Sequence, residues 1–225
     1  MGLNFVYFPF LDVCRERGIL KGPLLALGSQ EIHESRDGIG AYARRHGYRE
    51  LEKQGTVAAL FKERYGVEEY ESCDLNERAD VQLDLGRPLP EAMHGRWNAV
   101  LDGGTMEHIF DVRRVLENIH LGLAPGGAAL HLSPLTWHNH GFYNFTPKFF
   151  QGLARANNYQ FVAEAYFFQG RRTYVTLGGP DDSKERRAVR KLMGKKGLPR
   201  GILYMAAWVK RMEAPFALPY DIQED

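Results

Sequence analysis

The chain has 225 residues, 44% of them apolar and 25% charged, with a formal net charge of +1. That is enough for one α/β domain with a sizeable core, and the near-neutral balance gives no global pointer to nucleic acid. Two cysteines, Cys14 and Cys73, without ligand-like spacing argue against a disulfide scaffold or a structural zinc site. No apolar run approaches the roughly 20 residues that span a bilayer. The N-terminus lacks the basic-then-apolar pattern of a secretion signal, so a cytoplasmic location is expected.

In chain order, residues 1–21 mix apolar and charged positions. Phe10, Leu11 and Cys14 line one face of a short helix from about Leu11 to Arg17, a covering element ending near Gly18. Pro23 introduces Leu24-Leu25-Ala26-Leu27, a strand that turns at Gly28-Ser29-Gln30. Glu31 to Tyr48 is polar and glycine-interrupted and reads as a long loop with helical fragments. Thr56 to Tyr65 has helical spacing and Gly66 stops it. Glu69 to Asp74 is a second strand, and Val81-Gln82-Leu83-Asp84-Leu85 a third. The gap between them is shorter than the dozen residues a parallel crossover usually needs. Either the crossover is compressed into a turn or the strands connect another way.

The strongest pattern is Trp97 to Leu132. An apolar run, Trp97 to Leu101, ends in Asp102-Gly103-Gly104-Thr105-Met106-Glu107-His108. An amphipathic helix follows from about Asp111 to Leu121, with Val112, Val115, Leu116 and Ile119 in one stripe. Leu123-Ala124-Pro125-Gly126-Gly127 closes it, and Ala128 to Leu132 forms another strand. This is a βαβ unit of a parallel sheet, and such sheets bind ligands at the carboxyl ends of their strands. The loop Ser133 to Phe145 is aromatic and histidine-rich. Thr146 then caps a helix with Pro147 at its first position. Phe161–Phe168 and Arg172–Leu177 form an antiparallel hairpin around Gln169-Gly170-Arg171. From Pro180 the chain is first highly charged, then apolar and helical over Ile202 to Met212, then irregular and acidic.

The order Gly28-Ser29-Gln30, Asp74, Asp84-Leu85, Asp102 to His108 and Leu123 to Gly127 resembles a class I S-adenosylmethionine-dependent methyltransferase. The resemblance covers roughly Pro23 to Leu177 and is most specific over residues 97–132. It implies an α/β fold: a Rossmann-like, mostly parallel sheet with helices on both faces, a C-terminal antiparallel hairpin and a helical tail. Residues 1–179 would form the methyltransferase-like domain, and residues 180–225 a helical extension, lid or homodimer contact. It further implies S-adenosylmethionine as cofactor. Gly28, Ser29 and Gln30 would approach its methionine part. Asp74 would take the two ribose hydroxyls, in the charge-assisted way a carboxylate can. Asp84 would reach the adenine amino group, with Leu85 beside the ring. Asp102, Gly103 and Thr105 would lie near the methionine and the substrate, with His108 on the same pocket floor. The chain departs from the family in lacking the Gly-x-Gly-x-Gly turn and the helix between Asp74 and Val81.

Candidate catalytic groups lie in the loop after the fifth strand. A neutral histidine can take a hydroxyl proton near pH 7. His138 and His140 are the candidates, with Tyr143 and Asn144 to orient an acceptor; packing among Trp137, Phe142 and Phe145 is the plainer alternative. His108 is either a pocket group or a helix-start histidine, Glu107 an early-turn acid favoured by the helix dipole, and His131 a structural residue. A metal held by His138 and His140 with Asp102 or Glu107 lacks a fixed third ligand, so none is expected. The basic run Lys184, Arg186, Arg187, Arg190, Lys191, Lys195, Lys196 and Arg200 invites a nucleic-acid or anionic-membrane reading, but it reads first as a solvated helix face partly balanced by Asp181, Asp182 and Glu185, with a phosphate-bearing small substrate a milder option. The expected activity is methyl transfer to a small-molecule acceptor, at oxygen. The alternative is a methyltransferase-like fold kept as a non-catalytic binding or assembly module. A nicotinamide-dependent dehydrogenase is disfavoured, because no Gly-x-Gly-x-x-Gly follows the first strand.

Overall fold

A computed structural model describes residues 2–168, 173–177, 184–194 and 201–220. The elements run β1 (Gly2–Leu3), α1 (Phe8–Glu16), β2 (Leu24–Leu27), β3 (Glu31–Ile32), α2 (Arg36–His46), α3 (Arg49–Gln54), α4 (Val57–Tyr65), β4 (Tyr70–Asp74) and β5 (Val81–Gln82). They continue β6 (Trp97–Asp102), α5 (Val112–Gly122), β7 (Leu123–Pro134), α6 (Pro147–Ala156), β8 (Gln160–Phe168), β9 (Thr173–Leu177), α7 (Lys184–Met193) and β10 (Ile202–Val209). Eight strands form one sheet in the order β5-β4-β2-β6-β7-β10-β8-β9. The pairs from β5 to β7 are parallel; those of β10 with β7 and β8, and of β8 with β9, are antiparallel. The fold is α/β and Rossmann-like, and the strand order reverses between β2 and β6, where such sheets open a ligand crevice.

Pleating sorts the strand residues between two cores. Leu24 and Ala26 of β2, with Ala99, Leu101 and Leu130, face α1 and α4 through Phe10, Leu11, Leu60 and Phe61. Leu25, Leu27, Val100 and Ala129 face the other way, onto Val115 and Ile119 of α5 and Phe150 and Leu153 of α6. Because β2 and β7 are covered on both faces, Leu24–Leu27 and Ala128–Leu130 read as unbroken apolar runs rather than alternations.

Several stretches differ from the sequence expectation; the third strand covers only Val81–Gln82 of the expected Val81–Leu85, and Leu123–Gly127 begins strand β7 rather than forming a separate turn. Arg36–His46 is a complete helix, not loop fragments: Ser35 accepts from the Gly38 amide at its start, and Gly47, at φ +73°, ends it. Two glycines inside it dilute the helical signal. The stretch Ile202–Met212, expected to be helical, holds strand β10 instead. Met205 and Ala207 enter one core and Tyr204, Ala206 and Trp208 the other, so an unbroken apolar run carries no period to separate strand from helix. The segment after residue 180 thus contributes an interior strand to the sheet as well as α7. Thr146 stands at the N-cap of α6, but its side chain makes no capping bond.

The short link from β4 to β5 is a compressed parallel connection. Cys73 and Asp74 pair in parallel with Val81 and Gln82. Asp80 closes the turn by accepting from the Ser72 amide and hydroxyl, each at 2.8 Å. At the other end, the buried Lys210 ammonium donates to the carbonyls of His120 and Leu123, at 2.9 and 3.0 Å, and pairs with Glu213. It satisfies carbonyls that the end of α5 leaves open. The turn Gln169-Gly170-Arg171 and residues 221–225 lie outside the described residues. No described helix is long and apolar enough to cross a membrane.

Candidate functional site

The carboxyl ends of β2, β4 and β6 surround a cleft of about 390 Å³. Its lining includes Gly28, Asp74, Asp84, Leu85, Thr105 and His108, all singled out from sequence, together with Cys73, Leu75, Leu83, Ile109 and Phe110. That volume falls in the range of small-molecule sites.

The floor is built from backbone. Gly28 turns the chain at φ +78°, a conformation that favours glycine. Its amide donates to the Cys73 carbonyl at 2.7 Å. The next amide, of Ser29, donates to Asp74 Oδ2 at 2.9 Å, and the Leu75 amide donates to Oδ1 at 2.7 Å. Burial pushes the Asp74 carboxyl up, but the amides of Ser29, Leu75 and Asn76 outweigh it and hold the group below its ordinary value. An ionised carboxylate has about four acceptor sites. The Ser29 and Leu75 amides take one each and the Asn76 amide bears on a third, which leaves about one for a donor from the cleft. Ser29 is otherwise engaged, its hydroxyl bonding Asn76 at 3.2 Å.

Asp84 folds onto its own turn, accepting from the Gly86 amide at 2.9 Å and pairing with Arg87 at 3.2 Å. Leu83 and Leu85 form an apolar wall beside it.

Gln30 and Gly103 meet at the strand-order reversal. Gln30 Nε2 donates to the Leu27 carbonyl at 2.7 Å, while its Oε1 is buried with no partner among the described residues. A Cβ on Gly103 would stand 2.6 Å from that oxygen. The Gln30 side chain therefore needs a glycine opposite, and its oxygen is left without a partner among the described residues.

Asp102 has a different place from the one expected. It is 0% exposed. Oδ1 accepts from the amides of Thr105 and Met106 at 3.0 and 3.1 Å, and Oδ2 lies 3.1 Å from Nδ1 of buried His131. It shapes the turn and lines neither of the two cavities described around it. Thr105 reaches the cleft wall, but its hydroxyl is spent on the Leu27 carbonyl.

Glu107 is not an exposed acid at a helix start. It is 1% exposed in a single 3-10 turn, Met106–His108. Burial, and then the charge of Asp102, push its carboxyl up to about 8. Oε1 lies 3.3 Å from Nε2 of His140, and Oε2 is buried without a partner among the described residues. The loop after β7 is pinned here by its backbone as well, the Phe142 amide donating to the Glu107 carbonyl at 2.8 Å. His140 and His108 stand with ring centroids 5.0 Å apart. Burial, and then the charge of His108, push His140 below its ordinary value.

His140 stands against His108, which lines the cleft, but itself lines neither described cavity; His138, likewise exposed, makes no such contact. Tyr143 and Asn144 line a second cavity, of about 400 Å³, with Phe145, Phe149, Arg113 and Phe110. The Tyr143 hydroxyl donates to the Phe110 carbonyl at 2.8 Å. Phe110, 76% exposed, lines both cavities. Sequence reasoning passed over Phe110; its one signal is a large apolar residue between a polar turn and the N-cap Asp111, where nothing requires burial.

No family model and no curated relative matches the sequence. Solved structures do. A SAM-dependent methyltransferase from Archaeoglobus fulgidus is similar over 91% of this chain and 94% of its own, at 12% identity and a TM-score of 0.49. A SAM-dependent methyltransferase from Thermotoga maritima is similar over 92% and 98%, at 12% identity and a TM-score of 0.48. These loose likenesses concern the course of the chain, not its residues.

Proposed function

We propose that this chain transfers a methyl group from S-adenosylmethionine to a small-molecule acceptor, at an oxygen atom. The observation that carries the reading is the Asp74 carboxylate at the end of β4. It is charged, fixed by backbone amides and still able to accept, beside an apolar wall in a cleft of suitable volume. A ribose diol next to a planar base matches that arrangement. Leu83, Leu85 and Ile109 would flank the base, and the unpaired Gln30 oxygen would accept from an ammonium group at the methionine end. When bound, the cofactor supplies an electrophilic methyl group on a sulfonium sulfur.

The acceptor belongs in the second cavity, across Phe110. Its aromatic walls suit a planar or apolar body, and Arg113 at the rim suits an anionic substituent such as phosphate. Holding the two reactants in line and excluding water would supply much of the rate. The preference for oxygen rests on Glu107, His108 and His140, a polar cluster beside the cleft where a hydroxyl proton can be released.

Calorimetric titration with S-adenosylmethionine and S-adenosylhomocysteine tests the reading. Both should bind the wild-type chain, and Asp74→Ala should weaken both by about 10- to 100-fold, the worth of one or two hydrogen bonds to a charged group. Failure of the wild-type chain to bind either would sink it. Binding without methyl transfer to any hydroxyl acceptor would favour the binding-module alternative.

A further inference from the structure

We propose that Glu107, His108 and His140 form a site for one divalent transition-metal ion at the edge of the cofactor cleft. One ligand atom from each residue can be chosen so that all three lie within 4.8 Å of one another, the one such grouping among the described residues. Glu107 and His140 are already at 3.3 Å. Two ligands about 2.0–2.1 Å from a tetrahedral centre stand roughly 3.3 Å apart, so this pair needs no adjustment. His108 must close the remaining distance, and its exposed ring is free of the core packing that would prevent rotation.

The second observation is the other oxygen of Glu107, buried and without a partner among the described residues. A buried carboxyl oxygen left unpaired is costly; a proton relieves the charge, and a cation that displaces that proton would satisfy the oxygen as well. The scaffold also holds the set together. Gly141 lies so close to Glu107 that a Cβ there would come within 2.7 Å of the Glu107 carbonyl oxygen, and the Phe142 amide donates to the same oxygen. The loop that carries His140 is therefore fixed against the turn that carries Glu107 and His108.

Two imidazoles and one carboxylate suit zinc, cobalt, iron or manganese better than magnesium or calcium, which prefer all-oxygen sites. Three protein ligands leave a coordination position open, as catalytic sites do. His108 lines the cofactor cleft, so the open position is suited to a hydroxyl or carboxylate oxygen of the acceptor. That last assignment rests on the methyl-transfer reading; the metal site does not.

The test is calorimetry of the full chain after treatment with a chelator, titrated with zinc chloride and separately with magnesium chloride, with no nucleoside present. One Zn²⁺ should bind per chain, far more tightly than Mg²⁺. His108→Ala, His140→Ala and Glu107→Gln should each weaken Zn²⁺ binding at least tenfold, while His138→Ala in the same loop should leave it unchanged. The two alanine variants at His108 and His140 remove side chains outside the packed core, so they test the site without testing the fold. Absence of stoichiometric Zn²⁺ binding would overturn the proposal, as would binding indifferent to His108→Ala and His140→Ala. S-adenosylmethionine binding to the same metal-free chain is measured in parallel, so loss of the metal site and loss of the cofactor reading give separate signatures.

Discussion

Asp74 and Asp102 are the last residues of β4 and β6, the two strands that flank β2, yet they have opposite surroundings. Asp74 is partly exposed, holds the β2 turn through Ser29, and keeps acceptor capacity toward the cleft. Asp102 is sealed, its oxygens engaged by Thr105, Met106 and His131. The difference comes from what lies beyond each strand. After β4 the chain makes a short open turn. After β6 it folds back under Glu107 and is roofed by the loop that follows β7. A carboxylate at a strand end serves a ligand only where no later segment covers it.

The largest test of this contrast is Asp102→Ala. It leaves two amides and an imidazole unpaired in full burial, and should cost about 3 kcal/mol or more of unfolding free energy. Asp74→Ala should cost only about 1 kcal/mol by the same measure, because water replaces its partners. Urea denaturation of both variants reads the difference, and equal losses would erase the distinction. Next comes Gly103→Ala. Its Cβ would displace the Gln30 oxygen at the point where the two halves meet. Affinity for S-adenosylmethionine should fall severalfold, with less than about 1 kcal/mol of stability lost, since only the far end of a side chain has to move; unchanged affinity would remove Gln30 from the site.

The smallest effect concerns pH, on the buried side of the comparison. His120 of α5 contacts the Tyr159 hydroxyl and the Ala214 carbonyl. Burial pushes it below its ordinary value of 6.5, against the opposing pull of the Ala214 carbonyl. A depressed folded-state value means the unfolded chain binds the proton more readily. The stability contributed is complete above about pH 6.5 and is lost as pH falls through the lowered value. The wild-type melting temperature should therefore drop between pH 7 and pH 5 more steeply than that of His120→Gln, which starts lower and stays flatter. Parallel profiles would show that His120 does not titrate differently on unfolding.

The legible parts of this molecule are those whose signal is local. Gly28 and Asp74 stand where β2 and β4 end, Asp84 and Leu85 just past β5, and the cleft includes all four. Burial of Glu107 is not local. It depends on Gly141 and Phe142, more than thirty residues later, closing over the turn. The same holds for β10, which pairs with Leu132 and Ser133 on one side and Ala165 and Tyr166 on the other.

The amino-acid sequence by itself determined the α/β class, the parallel core through β6, α5 and β7, and that Asp74 and Asp102 end their strands. Those follow from periodicity, chain-stopping glycines and apolar runs, all properties of short windows. Only the tertiary structure decided that Ile202–Val209 is a strand, that His140 and not His138 meets His108, and that Asp102 faces inward while Asp74 faces the cleft. Each of those depends on desolvation and hydrogen-bond partners supplied by distant segments, and burial is a property of the assembled chain.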